Sequence, residues 1–247
     1  MSADVGPVRP VSPGSRAGVH RLRVLQVTQI TRLMKRVTLA APTLAALPLA
    51  PAQDVGLMLV DGTGRPVRRR YTLREVDPAA ATVALDGVLH GAGPGAAWFA
   101  GAAVGDEVDV FGPRGKIVPA DTDWHLFVGD ESGLPAFQEL AAALPDSARA
   151  VLVVEVADAG EEQPVPARAG TAVTWIHRDG RPGGGSDLLS AALVDVRLPD
   201  GPGQAYLLGE SRSVVALRPA LAARGLSGSA VFLKGYWNAT GRSGVSG

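Results

Sequence analysis

The sequence of 247 residues contains no cysteine. This absence excludes a disulfide scaffold, thiolate metal ligands, a cysteine nucleophile and a cysteine-ligated iron–sulfur cluster. Net charge is also absent, because 24 Lys and Arg residues balance 24 Asp and Glu residues, and no overall field attracts nucleic acid or an anionic membrane. No apolar run approaches the roughly 20 residues that a membrane helix needs. We therefore expect a soluble, cytoplasmic protein without membrane insertion.

Glycine and proline, by contrast, are abundant, with 31 and 19 residues, so turns are expected to separate short elements. Residues 1–19 are rich in Pro, Gly and Ser and are predicted to be disordered. In residues 20–120, alternating apolar and polar residues recur in short runs divided by turns. This rhythm indicates an antiparallel barrel or sandwich.

Residues 121–241 follow a different rhythm, in which apolar strand-like runs alternate with helical segments. WHLFVGD, for example, precedes the helical pattern SGLPAFQELAAAL, for which Ser132 is the predicted N-cap. Such alternation predicts an open parallel sheet with helices on its faces. Residues 242–247 are expected to form a flexible C terminus. The chain is thus predicted to contain two domains, with the boundary near residue 120.

The segment RRYTLR is the first candidate for chemistry. In an extended strand Arg69 and Tyr71 share one face. An arginine beside a tyrosine can bind a phosphate while the phenol ring covers an aromatic plane. The alternative interpretation is an exposed basic strand with a half-buried tyrosine, since exposed charge is what strands usually present to water.

A glycine-rich segment follows, in which Gly91, Gly93 and Gly95 end a strand and open a short helix. Exposed backbone N–H groups at such a point, together with the helix dipole, bind a pyrophosphate. An ordinary Gly/Pro turn is the alternative, and it would be favoured if no Arg-Tyr strand preceded the segment.

Asp130 and Glu131 end the first apolar run of the second domain, where α/β sheets bind ligands. Two carboxylates there would repel a nucleotide pyrophosphate, and the pattern GxGxxG is absent. The turn is therefore not interpreted as a dinucleotide fingerprint. Hydrogen bonds to backbone or ligand groups and a helix-capping acid pair are the two alternatives for these carboxylates.

Taken in order, RRYTLR, VLHGAGPGAAW, GDEVDVFGPRG, WHLFVGDESGLPA, EVAD, VTWIHR, LGE and KGYW resemble the siderophore-interacting protein family. The resemblance runs from about residue 21 to residue 241. The family consists of FAD-dependent ferric-siderophore reductases related to ferredoxin reductases. It implies a Greek-key antiparallel FAD-binding β-barrel in residues 20–120 and an open parallel-sheet α/β domain, like those that bind NAD(P)H, in residues 121–241.

The resemblance also implies contacts with FAD, in which Arg69 lies near the phosphates and Tyr71 lies against the isoalloxazine or the ribityl chain. Ala97 falls where related reductases often have a polar residue, so a phosphate contact there must come from backbone N–H groups. No residue is predicted to be catalytic. The remaining implied cofactor contacts are Thr72, Val88, Leu89, His90, Gly95, Ala96, Trp98, Asp130, Ser132 and Trp237.

Substrate contacts are predicted at Lys234 and Arg74. Lys234 would attract an anionic siderophore or a dinucleotide phosphate, although most lone lysines are merely solvated. Many members of the family carry a lysine in a Val-Lys-Leu strand, where this chain has Gly56. The candidates to replace that basic contact are Arg65, Arg68, Arg70, Arg74 and Lys234.

The implied activity is reduction of an imported ferric siderophore with release of Fe(II), with NADH, NADPH or reduced ferredoxin as electron donor. Neither a HExxH-type metal motif nor a GxSxG nucleophile elbow is found, so the iron is expected to belong to the substrate and the flavin to do the chemistry. Two alternatives are a general NAD(P)H:flavin electron-transfer module for a protein partner and a non-catalytic siderophore-binding protein.

Overall fold

A computed structural model describes residues 18–47, 49–50, 52–89, 91, 93–115, 117–166, 170–185 and 187–239. In these residues six strands form a closed barrel and five form a second sheet. The predicted combination of a β-barrel with an α/β domain is confirmed. Of the predicted disordered N terminus and flexible C terminus, residues 1–17 and 240–247 lie outside the described residues. No helix in the described part of the chain is long and apolar enough to span a membrane.

The barrel takes its strands in the order β1-β2-β5-β4-β3-β6, and every neighbouring pair is antiparallel. Because β4 and β5 lie between β2 and β3, the order is that of a Greek key. Because the sheet closes on itself, the domain is a barrel and not a sandwich, which were the two architectures that the alternating sequence allowed. The strands are β1 (Gly18–Thr31), β2 (Met34–Ala40), β3 (Asp54–Val60), β4 (Pro66–Asp77), β5 (Thr82–Val88) and β6 (Glu107–Arg114).

Strand β1 starts two residues before the predicted start of the domain at residue 20. Gly18 and Val19 pair with Gly112 and Phe111 of β6, so they belong to the barrel and not to a disordered terminus. Pairing with β6 therefore extends the barrel into the last two residues of the segment 1–19, which was predicted to be disordered from its Pro, Gly and Ser content.

A short helix, α1 (Pro94–Gly101), connects β5 to β6 and covers one end of the barrel. Its Phe99 is fully buried in the barrel core. Gly87 of β5 makes room for this ring, because a Cβ at Gly87 would lie 2.3 Å from Cδ2 of Phe99. The helix is thereby held close to strands β4 and β5.

The second sheet is parallel throughout, in the order β11-β10-β7-β8-β9. Apolar clusters cover both of its faces, which explains why strands such as WHLFVGD are largely apolar and do not alternate with polar residues. The elements are β7 (Trp124–Asp130), α2 (Leu134–Ala143), β8 (Arg149–Val156), β9 (Thr171–His177), α3 (Asp187–Asp195), β10 (Gly203–Glu210), α4 (Ser211–Ala216), α5 (Arg218–Ala222) and β11 (Val231–Trp237).

The prediction that Ser132 caps α2 is wrong. The N-cap is Gly133, and no side chain accepts a hydrogen bond from the first turn. Both the backbone N–H and the hydroxyl of Ser132 donate to the Asp130 carboxylate. A nearby buried carboxylate thus takes the hydroxyl that would otherwise cap the helix.

Ion pairs join the two domains at separate points. Arg74 of β4 donates to Glu139 of α2 at 2.7 Å, and Lys234 of β11 donates to Asp54 of β3 at 2.8 Å. In addition, the backbone N–H of Leu33, in the β1–β2 turn, donates to the buried Glu161 carboxylate at 3.1 Å. These contacts place the α/β domain against β3, β4 and the β1–β2 turn.

Candidate functional site

Arg69 of β4 lies beside the N terminus of α1. The N-cap is Gly93, which has no side chain to cap the helix, and Pro94 is the first helical residue. A Cβ at Gly95 would lie 3.7 Å from Cγ of Arg69, so the arginine side chain runs along the first turn. Arg69 donates to the carbonyl of Arg68 at 3.1 Å, and it has no ion pair with any residue that the structure describes. An uncompensated cation and a helix N terminus together attract an anion.

The backbone N–H groups available at this N terminus are those of Gly95 and Ala96, which have no intrahelical partner. The N–H of Ala97 donates to the carbonyl of Gly93 at 3.0 Å. That N–H group is therefore already used within the helix, and a contact of Ala97 with a cofactor stays a prediction.

Tyr71 forms an aromatic wall next to this anion site. Its ring lies 4.8 Å from the ring of Phe99, at an interplanar angle of 57°. A Cβ at Gly95 would come within 2.0 Å of the Tyr71 hydroxyl, so only glycine lets the ring pass the helix. Burial raises the pKa of Tyr71 to about 12, against the opposing effect of the Arg69 charge. The phenol is thus neutral near pH 7 and can donate a hydrogen bond.

The other predicted barrel contacts lie on neighbouring elements. Thr72 is buried and forms a hydrogen bond with Tyr236 of β11. Val88 ends β5, and the N–H of Leu89 donates to the carbonyl of Leu33 at 2.8 Å. Trp98 of α1 packs edge-on against Phe99, with ring centroids 4.9 Å apart. His90 lies outside the described residues.

Buried acidic residues mark the carboxyl ends of three adjacent parallel strands. They are Asp130 of β7, Glu155 of β8 and Glu210 of β10, each no more than 5% exposed. Arg178, which follows β9, lies among these side chains. It donates to both oxygens of Glu131, at 2.7 and 2.6 Å, and to Glu155 at 3.3 Å. The guanidinium thus compensates two of the buried carboxylates.

Asp130 positions the last aromatic residue of β11. Its carboxylate accepts hydrogen bonds from Nε1 of Trp237 at 2.9 Å and from the N–H of Glu210 at 2.7 Å. Burial and the Glu131 charge raise the pKa of Asp130, although these hydrogen bonds favour its ionised form. Of the two alternatives for this carboxylate, backbone hydrogen bonding is the one observed. Contacts of Asp130, Ser132 and Trp237 with a cofactor stay predictions.

Glu155 is the least satisfied of the buried carboxylates. Its Oε2 atom has no hydrogen-bond partner among the described residues. Burial raises the pKa of Glu155 to about 7, and Arg178 opposes this rise. The side chain therefore exchanges a proton close to physiological pH.

Replacing Glu155 by Gln is expected to flatten the dependence of stability on pH. Because the folded pKa lies above the ordinary value of 4.5, the folded state binds more protons, and stability is lost as pH rises from 4.5 through about 7. The loss amounts to about 3 kcal/mol at most. Urea unfolding midpoints measured from about pH 5 to pH 8 would show a smaller fall for E155Q than for the natural protein. The exposed Glu107→Gln serves as control, and equal slopes for all three proteins would contradict the assignment.

The two predicted substrate cations form ion pairs within the protein. Lys234 donates to Asp54, which also accepts two hydrogen bonds from Arg70, at 2.8 and 2.6 Å. Arg74 donates to Glu139 at 2.7 Å and to Asp86 at 3.3 Å. Both cations thus hold the domains together, and substrate binding by Lys234 and Arg74 stays a prediction.

Arg68 occupies the space beside Gly56. A Cβ at Gly56 would lie 2.5 Å from Cδ of Arg68, so the arginine crosses directly over the glycine. Its guanidinium carbon lies 5.3 Å from the centre of the Phe111 ring, and that of Arg114 lies 5.5 Å from the same ring. Arg68 has no acidic partner in the described part of the chain, unlike Arg70, Arg74 and Lys234. It is therefore the best placed cation to stand in for a lysine at position 56.

A cleft of about 400 Å³ opens between the two domains. Its walls are the β1–β2 turn, the loops that follow β8 and β9, and the segment after β11, which contributes Trp237. Two of its arginines already have acidic partners, namely Arg32 with Asp158 at 2.8 Å and Arg178 with Glu131. The third arginine, Arg181, has no ion pair with a described residue.

Sequence reasoning missed Asp54, Glu155, Arg178, Arg181 and Glu210. A signal for part of this set was present, since VLVVEV and AYLLGE each place an acidic residue at or near the end of an apolar run, as WHLFVGD does. Carboxyl ends of parallel strands meet at one edge of a sheet, so these acids had to lie close together. No comparable signal exists for Asp54, whose partners come from distant segments.

Comparison with protein-family models gives two adjacent matches. Residues 50–117 match the siderophore-interacting FAD-binding domain, and residues 122–240 match the siderophore-interacting protein model. The first match covers β3 to β6 of the barrel, and the second covers all five strands of the parallel sheet.

Comparison with curated proteins and solved structures agrees with the family-model matches. An uncharacterized protein of Mycobacterium tuberculosis is 36% identical over 189 residues, which are 70% of this chain and 65% of that protein. The ferric vibriobactin reductase ViuB of Vibrio cholerae is 31% identical over 163 residues, which are 64% of this chain and 59% of ViuB. The match thus spans less than two thirds of these relatives. A siderophore utilization protein from T. fusca superposes with a TM-score of 0.85 and 33% identity, over 93% of this chain and 96% of that one.

Proposed function

Because the chain belongs to the siderophore-interacting protein family, we propose that it is an FAD-dependent reductase that releases iron from a ferric siderophore. The observation that carries this proposal is the anion site made by Arg69 and the N terminus of α1. An unpaired guanidinium beside two free backbone N–H groups and a partly buried tyrosine suits the pyrophosphate and an aromatic plane of a flavin dinucleotide.

The residues present fit FAD in their chemistry. Arg69 and the N–H groups of Gly95 and Ala96 would hold the pyrophosphate, and Tyr71 would cover an aromatic plane of the cofactor. Gly95 is needed because any larger residue would meet the Tyr71 hydroxyl. Val88, Leu89 and Thr72 would form the wall along β4 and β5.

When bound, FAD would supply the change from two-electron donation by a reduced nicotinamide to single-electron reductions, so that one donor molecule would account for two ferric ions. The protein's own residues would bind and orient the cofactor and shield it from water. Asp130 orients the indole of Trp237 in the cleft between the two domains. The neutral phenol of Tyr71 excludes water from the barrel side.

The ferric siderophore would approach the cations on the outer face of the barrel. Arg68 is the cation that we place at the substrate, because its charge is uncompensated and its side chain is held between Gly56 and Phe111. Arg70 and Lys234 contribute to the potential of the same face, but Asp54 neutralises part of their charge. Reduction to Fe(II) weakens binding by oxygen-donor chelators and releases the metal.

Replacing Arg69 by Ala is expected to weaken FAD binding about 10-fold to 100-fold, because a charge-assisted contact to the pyrophosphate is lost. The measurement is titration of the deflavinated protein with FAD, followed by flavin fluorescence. Arg65→Ala in the β3–β4 turn is the matched control and should bind FAD normally. Undiminished FAD binding by R69A would contradict the assignment of the pyrophosphate site.

Activity is tested anaerobically on the flavin-loaded protein. NADH, NADPH or reduced ferredoxin should bleach the visible flavin band, and a ferric hydroxamate or catecholate siderophore should restore it as Fe(II) is trapped by a ferrous chelator. A band that returns only with a protein acceptor would favour a general electron-transfer module. A protein that binds ferric siderophore but no FAD would be a carrier and would overturn the proposal.

A further inference from the structure

We propose that Arg181 forms a phosphate subsite for the electron donor, so that the protein binds a 2′-phosphorylated nicotinamide dinucleotide in preference to the unphosphorylated form. The inference rests on the proposed function for the kind of donor. The subsite itself is derived from the cleft between the domains and from the charges that line it.

Two usual anion positions of a parallel α/β sheet, the N termini of α2 and α4, are closed in this protein. The first turn of α4 is capped by its own chain, since the N–H groups of Arg212 and Ser213 each donate to the Glu210 carboxylate at 2.8 Å. Helix α2 has Pro135, which lacks an N–H group, in its first turn, and Asp130 and Glu131 lie just before the turn that leads into it. A pyrophosphate that approached either helix would meet carboxylates.

The loop after β9 also fills the space over the strand ends. A Cβ at Gly183 would lie 3.4 Å from Cη2 of Trp237, and one at Gly184 would lie 2.5 Å from Cβ of Ala239 and 3.3 Å from Cγ of Glu210. The loop therefore crosses the carboxyl edge of the sheet as far as the segment after β11. A donor has to bind in the cleft on the barrel side of this loop.

Arg181 is held at that cleft by a turn with little freedom. The N–H groups of Arg178 and Asp179 donate to the carbonyls of Val156 and Ala157, both at 3.0 Å, and the N–H of Arg181 donates to the carbonyl of Arg178 at 3.1 Å. The Arg178 side chain is anchored inward by Glu131. The backbone position of Arg181 is thus set by the sheet, while its guanidinium stays exposed.

The cleft suits one half of a dinucleotide. Its volume of about 400 Å³ lies in the range of small-ligand sites, about 300 to 1,000 Å³. Trp237 offers an aromatic surface for a base, and Arg181 offers a planar guanidinium, without an ion pair to a described residue, that can donate two hydrogen bonds to a phosphate. Arg32 and Asp158, on the opposite side, neutralise each other. An adenosine moiety with a phosphate on its ribose therefore fits the available charge.

The test is calorimetric titration of the FAD-loaded protein with adenosine 2′,5′-bisphosphate and with adenosine 5′-monophosphate at low ionic strength. The natural protein should bind the bisphosphate about 10-fold more tightly, and Arg181→Ala should abolish that difference. R181K should keep part of the preference for the bisphosphate, because a lysine retains the positive charge but lacks the planar guanidinium. Arg197→Ala, an exposed arginine before β10 at the opposite edge of the sheet, should behave like the natural protein. High salt should reduce the difference.

Equal binding of the two nucleotides by the natural protein would overturn the proposal, and so would an unchanged preference in R181A. If R181A instead weakens only the binding of an anionic ferric siderophore, the cleft belongs to the substrate and the donor assignment fails. The flavin content of each sample, read from its absorbance, separates the two proposals. A protein that prefers the bisphosphate but cannot be loaded with FAD would support Arg181 and refute the reductase.

Discussion

Replacing Gly129 by Ala is expected to lower the free energy of unfolding by about 3 kcal/mol or more. Gly129 lies in β7 opposite Leu208 of β10, and a Cβ there would come within 1.7 Å of the Leu208 carbonyl oxygen. That atom belongs to the backbone of a buried parallel strand, so a rotamer change cannot relieve the clash. Two strands of the central sheet would have to separate.

Thermal and urea unfolding followed by circular dichroism measure this effect. For a chain of this length we expect the melting temperature to fall by about 6 to 12 °C. The control is Gly62→Ala in the β3–β4 turn, where a Cβ has no atom within 4 Å. A melting temperature of G129A within a degree or two of that control would show that β7 and β10 are not packed as described.

Replacing Arg178 by Met is expected to cost about 3 to 5 kcal/mol, because two buried carboxylates lose their shared cation. Arg178 is 6% exposed and makes three hydrogen bonds to Glu131 and Glu155. A methionine fills a similar volume but leaves those charges uncompensated. The pKa of Glu155, already raised to about 7, should rise further, since the guanidinium no longer favours its ionised form.

The sign of the pH effect distinguishes charge loss from a packing defect. With a raised folded pKa, the folded state takes up protons at low pH, so R178M should be closer to the natural protein near pH 5 than near pH 8. Urea midpoints at the two pH values measure this. Arg181→Met, three residues later and exposed, should change stability by no more than about 0.5 kcal/mol. A pH-independent loss in R178M would contradict the electrostatic explanation.

The fold could be predicted from the sequence because the spacing of apolar residues and the composition of each segment are local properties. Alternation in RRRYTLREVD predicted a strand with one face in the barrel core, and the largely apolar WHLFVGD predicted a strand buried on both faces. The Arg69–Tyr71 pair was equally local, since both side chains share one face of β4. The choice between barrel and sandwich was not local, because it depends on which distant strands close the sheet.

The hydrogen-bond partners of the charged and polar residues could not be read from the sequence. Lys234 and Arg74 looked like cations for a substrate, yet Asp54 and Glu139, from the other domain, pair with them. Ser132 looked like a helix cap, yet its hydroxyl donates to Asp130. In each case the deciding partner is a carboxylate whose position depends on how elements pack.

The sequence by itself determined the strands and helices, the two-domain order and the family, because each rests on residues close together in the chain or on an ordered set of motifs. It also pointed to Arg69 and Gly95 as a candidate anion site. Only the tertiary structure decided which cations are free. Arg70, Arg74, Arg178 and Lys234 are paired, whereas Arg68, Arg69 and Arg181 have no acidic partner in the described part of the chain. The physical reason is that a charge is compensated by whatever lies within a few ångströms in space, and spacing along the chain does not reveal that neighbour.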